Sequence, residues 1–511
     1  MKALGLAVLS GVLLTLAFPK WDLDLLAWGA LVPLFLAARA GSPKAAFLVG
    51  WVGGAVFYAG TLYWVVHAIG NYSNITGLLA LGPLVLMCAI LALYTGGFLW
   101  AWRFCERHGV RGLWVAPFIW VAFEWLRSFF FIGFPWVSLG YSQYRRLDLI
   151  QFAEVTGVYG VSALLVFVNA ALFEAVAAAA AGRRRIGALL AALSLVAALA
   201  SAGAWRRAGL KALPTAHRLR VAVIQGNVEQ DRKWEPAYQE ETVARYEGLT
   251  RRAASAGVDL VVWPETALPF YFQEEPRQAR RLLALGRETG TFLLFGSPAF
   301  RESRDAIALF NRAYLTSPAG EVVGHYDKIR LAPFGEYVPF QSVLFFVDKL
   351  VEGIGDFEAG SRHTVFTTPR GRFGVLICYE DVFPDLTRRF VGEGADFLVN
   401  ITNDAWFGRT SAPYQHLAMA AFRAVENRVP LVRSANTGVS AFIDIDGRIR
   451  SRTRLFETRY RVADLDWPAV EAFYTRRGDL FAHLSALVCA VVLGYGSFRE
   501  RRRRKKHAER A

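Results

Sequence analysis

The chain has 511 residues, 54% of them hydrophobic, and a formal net charge of +15. That length allows roughly two or three domains, and the positive mean hydropathy excludes an ordinary soluble composition and points to membrane segments. The four cysteines, Cys88, Cys105, Cys378 and Cys489, lack paired spacing, which argues against a disulfide framework or a C-x-x-C metal site.

Residues 1–205 read as apolar stretches near bilayer-spanning length, at about 3–18, 23–39, 45–69, 77–102, 112–131, 155–181 and 186–204. The first ends in "TLAFPKW", without a small-x-small cleavage site, so it reads as a retained helix and not a signal peptide. From residue 214 the composition turns polar with alternating apolar runs, and an eighth span, about 479–497, precedes "RERRRRKKHAER". The expected domains are a membrane domain of seven helices over 1–205, an α/β domain over 206–478, an eighth helix over 479–497 and a basic tail over 498–511. A basic run directly after an apolar span marks the cytoplasmic side and anionic lipid in preference to nucleic acid.

The loops set the orientation. Arg39 and Lys44, then Arg103, Arg107 and Arg111, then Arg183 to Arg185 fall on alternate connections, the side that also carries the tail. The other connections are poorer in basic residues; "GNYSNIT" has none, and Arg145 and Arg146 are a mild exception. The positive-inside rule then places both termini in the cytoplasm and 206–478 on the outer face. A domain there has no access to cytosolic ATP or acyl-CoA, and no cofactor is expected. In the fifth span, "VAFEWLRSFFF" sets Glu124 and Arg127 one turn apart, either neutralising each other or receiving a lipid headgroup. His67 and Asn169 are equally open.

The outer segment reads as a mixed α/β layer fold. "LRVAVIQGN", "VDLVVWPE", "TFLLFGS", "FGVLICYED", "DFLVNITND" and "VPLVRSANTG" are short β-branched runs with polar ends, the pattern of strands buried on both faces. Helical stretches intervene at about 236–256, 275–289 and 414–427.

Three strand or loop ends carry reactive groups: Glu265 in "VVWPET", Lys328 in "GHYDKIRLAPFGEYVP" and Cys378 in "LICYED". Singly, each has a plain explanation: a helix cap, a surface ion pair with Asp327, a small buried hydrophobe. Together they solve a chemical problem. A thiol near its free pKa needs a base or a cation to become a strong nucleophile. A carboxylate can take its proton, while an ammonium lowers the thiol pKa and later faces an oxyanion. The backbone N–H of Tyr379 is a natural second oxyanion donor. No histidine argues for a Cys-His pair with similar force; His416, in "YQHLAMA", is the best candidate but reads as a helix residue, and Asp381 has no role beyond a possible cap.

Residues 218–465 resemble the nitrilase superfamily, because "WPE", "DK…PFGE" and "CYE" arrive in that superfamily's order. With the membrane half, "YDKIRLAPFGEYVPF", "LICYED" and "TNDAWFG" resemble the bacterial apolipoprotein N-acyltransferase family over nearly the whole chain. The resemblance implies a multi-pass α-helical membrane domain joined to a nitrilase-like αββα sandwich. It implies Glu265 as general base, Lys328 as oxyanion group and Cys378 as acyl-carrying nucleophile, with no metal. Glu336 would support the triad, Tyr379 and Glu380 would flank the nucleophile, and Trp234 and Trp406 would lie in loops near the site. The implied reaction moves an acyl chain from a membrane phospholipid, through a thioester, to the α-amine of a diacylglyceryl-modified apolipoprotein. The implied setting is the inner membrane, with the catalytic domain periplasmic and the protein a monomer. Two other readings stay open on the residues alone: a membrane-tethered amidase or nitrilase, and a transporter with an outer binding module.

Overall fold

The computed structural model describes every residue except 73–74, 76, 131–132, 185, 303–306, 338–355 and 510–511. Part of "GNYSNIT", Arg185, the "VPF" that closes one motif and the last residues of the basic tail therefore lie outside the described residues. The chain forms two compact units, one of Met1–Val66, Gly77–Arg207 and Arg477–Ala511, the other of His67–Thr76 and Ala208–Arg476.

The first unit is helical. Among the described residues, Pro43–Leu62, Gly77–Arg107, Val158–Ala179, Gly187–Ala212 and Leu480–Lys506 are long and apolar enough to cross a membrane. The stretch expected over 45–69 is divided, into Pro43–Leu62 and Trp64–Tyr72. The one expected over 23–39 is a 3₁₀ turn, Asp24–Trp28, followed by a short helix, Val32–Ala38, with Pro33 in its first turn. A broken backbone is tolerated at membrane depth only where protein supplies its hydrogen bonds. Asn169 does so here, accepting from Leu31 N at 2.8 Å and donating to Ala27 O at 2.8 Å. Gln143 donates to Asp24 O at 3.0 Å and accepts from Trp28 Nε1 at 3.1 Å. Asn169 is thus a structural plug for the break.

Glu124 and Arg127 resolve in a similar way. Leu139 N donates to Glu124 Oε1 at 2.6 Å, and Arg127 donates to Phe134 O at 3.1 Å, Trp136 O at 2.5 Å and Ser138 Oγ at 3.2 Å. The two side chains clamp segment 134–139 onto the helix Gly112–Phe129, with Arg127 only 2% exposed. Close helix packing depends on small residues: a Cβ at Gly50 would stand 2.6 Å from Thr95 O on the neighbouring helix.

The second unit is built on two six-stranded sheets, ordered β12-β1-β2-β3-β4-β5 and β11-β10-β9-β8-β7-β6. The first sheet contains β1 (His217–Gln225), β2 (Leu260–Val262), β3 (Phe292–Glu302), β4 (Ile307–Thr316), β5 (Val322–Asp327) and β12 (Arg459–Trp467). The second contains β6 (Val365–Thr368), β7 (Gly371–Ile377), β8 (Phe397–Thr402), β9 (Leu431–Ala435), β10 (Ala441–Ile443) and β11 (Ile449–Arg450). The six expected strands are β1, β2, β3, β7, β8 and β9, and they are the parallel centres of the two sheets. The other six are antiparallel neighbours.

Helices Pro236–Ala254 and Pro276–Thr289 cover the first sheet. Their Val243, Tyr246, Leu249, Leu282 and Leu285 share one core with Ile224, Trp263 and Phe295. Each such burial contributes about 1.5–3 kcal/mol relative to exposure. Helices Pro384–Gly392 and Ala412–Asn427 lie on the second sheet, where Phe390 sits so close to Gly374 that a Cβ there would meet its ring at 2.7 Å. Between the sheets, Ser434 Oγ on β9 donates to Ile224 O at 3.2 Å and Val262 O at 3.0 Å. The result is an αββα sandwich whose parallel strands deliver their carboxyl ends to one edge, where α/β folds place ligands.

Candidate active site

Glu265 follows β2 after Trp263 and Pro264, Lys328 follows β5 directly, and Cys378 follows β7 directly. Glu265 is 6% exposed, Lys328 1% and Glu336 8%, so three charges share one enclosed place. Lys328 Nζ stands 2.9 Å from Glu336 Oε2 and 3.5 Å from Glu265 Oε1. Asn311, on β4, bridges the carboxylates by donating to Glu265 Oε1 and to Glu336 Oε1, each at 2.8 Å. Asn403 N donates to Glu265 Oε2 at 2.8 Å, and Ala332 N to Glu336 Oε2 at 2.7 Å. Desolvation pulls the Lys328 ammonium towards neutrality, but Glu336 and then Glu265 outweigh it and hold its pKa above the ordinary value. Lys328 is a fixed cation.

Cys378 opens a 3₁₀ turn, Cys378–Val382, with φ +51, a left-handed conformation that costs a side-chain-bearing residue about 1–3 kcal/mol. Neighbours hold it there: Asn400 Nδ2 donates to Cys378 O at 3.2 Å, and Ile377 N donates to Glu380 Oε2 at 2.7 Å. The residue keeps some exposure, yet the dense protein around its sulfur dominates. Burial first, and then the charge of Glu265, push the thiol pKa up, while Lys328 opposes them. A protonated thiol thus faces a buried carboxylate and a permanent cation. That set can deprotonate a sulfur nucleophile and stabilise an adjacent oxyanion.

Glu380 is completely buried and accepts four hydrogen bonds. Oε1 takes Tyr326 Oη at 2.8 Å, Ile329 N at 2.7 Å and Arg330 N at 3.0 Å, and Oε2 takes Ile377 N. It ties the loop after Lys328 to the turn at Cys378, which leaves ordering as its role. Burial, partly offset by those backbone donors, pushes its carboxyl up to about 7. Tyr379 is half-buried, its ring edge-on to Phe383 at 5.0 Å. Trp406 is half-buried against the Tyr72 ring at 4.7 Å, and Tyr72 Oη donates to Ala405 O at 3.3 Å. Trp234, also half-buried, follows the short helix Gln230–Lys233.

One expectation, the cap at Asp381, needs correction, and the disfavoured Cys-His pair finds no support. His416 is not free to pair with the thiol: Nε2 is 2.5 Å from Asp381 Oδ1 and Nδ1 is 3.2 Å from Asp404 Oδ1. Asp381 is no mere cap, because its Oδ2 also takes Arg433 Nη1 at 3.0 Å, while Arg433 Nη2 reaches Asp404 Oδ2 at 3.0 Å. All four residues are at most 1% exposed. This buried quartet backs the turn that carries Cys378. The reading from sequence also missed Asn311, Asn403, Arg433 and Lys233. The available signal was a polar residue inside an otherwise apolar strand, as at Asn311 and Arg433.

Comparison with known proteins bears on both units. The family model for the apolipoprotein N-acyltransferase N-terminal domain matches residues 10–171, and that for carbon-nitrogen hydrolase matches residues 220–474. An apolipoprotein N-acyltransferase of Geobacter metallireducens is 46% identical over 488 residues, covering 95% of this chain and 94% of the relative. One from Methylococcus capsulatus is 36% identical over 519 residues, covering 100% and 99%. Among solved structures, a nitrilase-superfamily amidase from Nesterenkonia AN1 is 20% identical with a TM-score of 0.40, covering 53% of this chain and 98% of its own.

Proposed function

The chain belongs to the apolipoprotein N-acyltransferase family, and we propose that it moves a fatty acyl chain from a membrane phospholipid to an apolipoprotein amine through a thioester on Cys378. It is an acyltransferase of a bacterial membrane with a nitrilase-type second domain. The observation that carries the mechanism is the Cys378 thiol, set on a strained turn beside the buried pair Glu265 and Lys328.

In the first half-reaction Glu265 takes the thiol proton and the sulfur attacks the phospholipid ester carbonyl. Lys328 and the backbone N–H of Tyr379 face the oxyanion. The carbon–oxygen bond breaks, and Glu265 returns the proton to the departing alcohol, a lysophospholipid. In the second half-reaction the α-amine of the diacylglyceryl-cysteine attacks the thioester. Glu265 takes a proton from the attacking nitrogen, the carbon–sulfur bond breaks, and the proton returns to sulfur. Glu336 holds Lys328 in place, Glu380 orders the turn, and Trp234 and Trp406 border the substrates.

The proposed setting has all eight apolar stretches of the sequence in the membrane, 206–478 on the periplasmic face, both termini cytoplasmic and the protein a monomer. The alternating basic loops support it. Intact-mass measurement of protein extracted from membranes tests the intermediate. The expected result is one added acyl mass on the peptide containing Cys378, lost on adding a diacylglyceryl peptide with a free amine. Acyl release to water at the same rate without that peptide would favour the hydrolase reading.

Asn311 offers a further check. Asn311→Leu strips one donor from each of two buried carboxylates, and a hydrogen bond to a charged group is worth about 1.5–3 kcal/mol. Transfer, measured as kcat/KM, is expected to fall about 10–100-fold while the fold survives.

A further inference from the structure

Lys233 ends the short helix that follows β1 and is 1% exposed. Lysine is almost never buried this completely without a partner. Among the described residues, however, its ammonium makes no hydrogen bond, and the charges that act on it are Glu265 first and Cys378 second. Lys328 differs, being held at 2.9 Å and 3.5 Å by two carboxylates. The helix that carries Lys233 is also tied to the site. Asn403 Nδ2 donates to Gln230 Oε1 at 2.7 Å, and Asn403 N donates to Glu265 Oε2.

Charge balance bears on this ammonium. Glu265, Glu336 and Lys328 together carry one net negative charge inside a buried site. That charge opposes ionisation of the thiol, in line with the upward push of Glu265 on Cys378. A second cation beside the same two groups cancels it. We propose that Lys233 is that cation, stabilising the Cys378 thiolate and the oxyanion that forms next to it. The proposal deepens the reading of Cys378 as acyl carrier and rests on it. The Lys233 proton stays on nitrogen through both half-reactions, so Glu265 remains the group that shuttles protons. Lys328 fixes the base and faces the oxyanion, and Lys233 supplies the unspent positive charge. Burial lowers the Lys233 pKa to about 8, against the raising pull of Glu265 and Cys378, so this support fades as pH rises past that value.

The test is thiol reactivity, which needs no substrate. Full-length protein in detergent is treated with iodoacetamide from pH 6 to pH 9.5, and labelling of the Cys378 peptide is followed by mass spectrometry. Lys233→Met is expected to slow labelling at pH 7 at least about tenfold and to move the profile up by about one unit or more. Lys233→Arg keeps the charge and should restore labelling to within about threefold of wild type. If Lys233→Met does not yield folded protein, Lys233→Gln is read the same way. An unchanged profile in a folded, uncharged variant overturns the proposal. The acyl adduct of the wild type separates the two readings. An adduct with an unmoved profile sinks the role of Lys233 alone, whereas no adduct sinks the acyl-carrier reading even where the profile moves.

Discussion

Cys378→Ser is expected to lower acyl transfer by at least about 10⁴-fold while leaving the protein folded. The change exchanges one atom, so the turn at φ +51 and its contacts with Asn400 and Glu380 can persist. What changes is proton affinity. The site already pushes the thiol up through burial and the charge of Glu265, and a hydroxyl starts several units higher. A carboxylate lacks the basicity to deprotonate it, and an oxygen ester would not react with an amine as readily as a thioester. The measurement is transfer from phospholipid to a diacylglyceryl peptide, alongside thermal unfolding in detergent. A variant that still acylates at wild-type rate would rule out Cys378 as the acyl carrier.

Arg433→Met is expected to destabilise the second unit by about 3–5 kcal/mol, because removing one partner leaves buried charges uncompensated. Arg433 is fully buried and contacts Asp381, Asp404 and Asn400. Without it, His416 alone faces two carboxylates. The unfolding temperature should fall by about 10 °C. The network also sets a pH window. Burial raises the Asp404 pKa, but Arg433 and then His416 overcome this and hold it near about 2. Its stabilisation is present above its unfolded pKa of about 4 and is lost as pH falls towards that lower value. Burial and Arg433 lower the His416 pKa, yet Asp381 and Asp404 win and leave it raised. Its stabilisation is fully present below its unfolded pKa of about 6.5 and is lost as pH rises through its folded value. Stability should therefore peak between these limits. A wild-type unfolding temperature that is flat from pH 3 to pH 9 would contradict the network, as would an Arg433→Met variant as stable as wild type.

The sequence made the parallel centres of both sheets legible because strands buried on two faces have no polar alternation to confuse the reading. β4, β5 and β12 carry mixed exposure along their length and went unread. In the membrane half, apolar runs locate helices but not their breaks. Pro33 was visible, whereas the partners that permit the break, Asn169 and Gln143, come from more than a hundred residues away. Glu265, Lys328 and Cys378 were legible as candidates through their motifs. The residues around them were not, since Asn311, Lys233 and Arg433 acquire meaning only when folding brings them to buried carboxylates.

The left-handed backbone at Cys378 bears on how the protein should be engineered. Glycine occupies that conformation without strain, so Cys378→Gly would relax the turn while erasing the chemistry. A library ranked by melting temperature alone would reward that inactive chain over the working one. The backbone here favours no side chain, and under the proposed mechanism turnover is the reason to retain one.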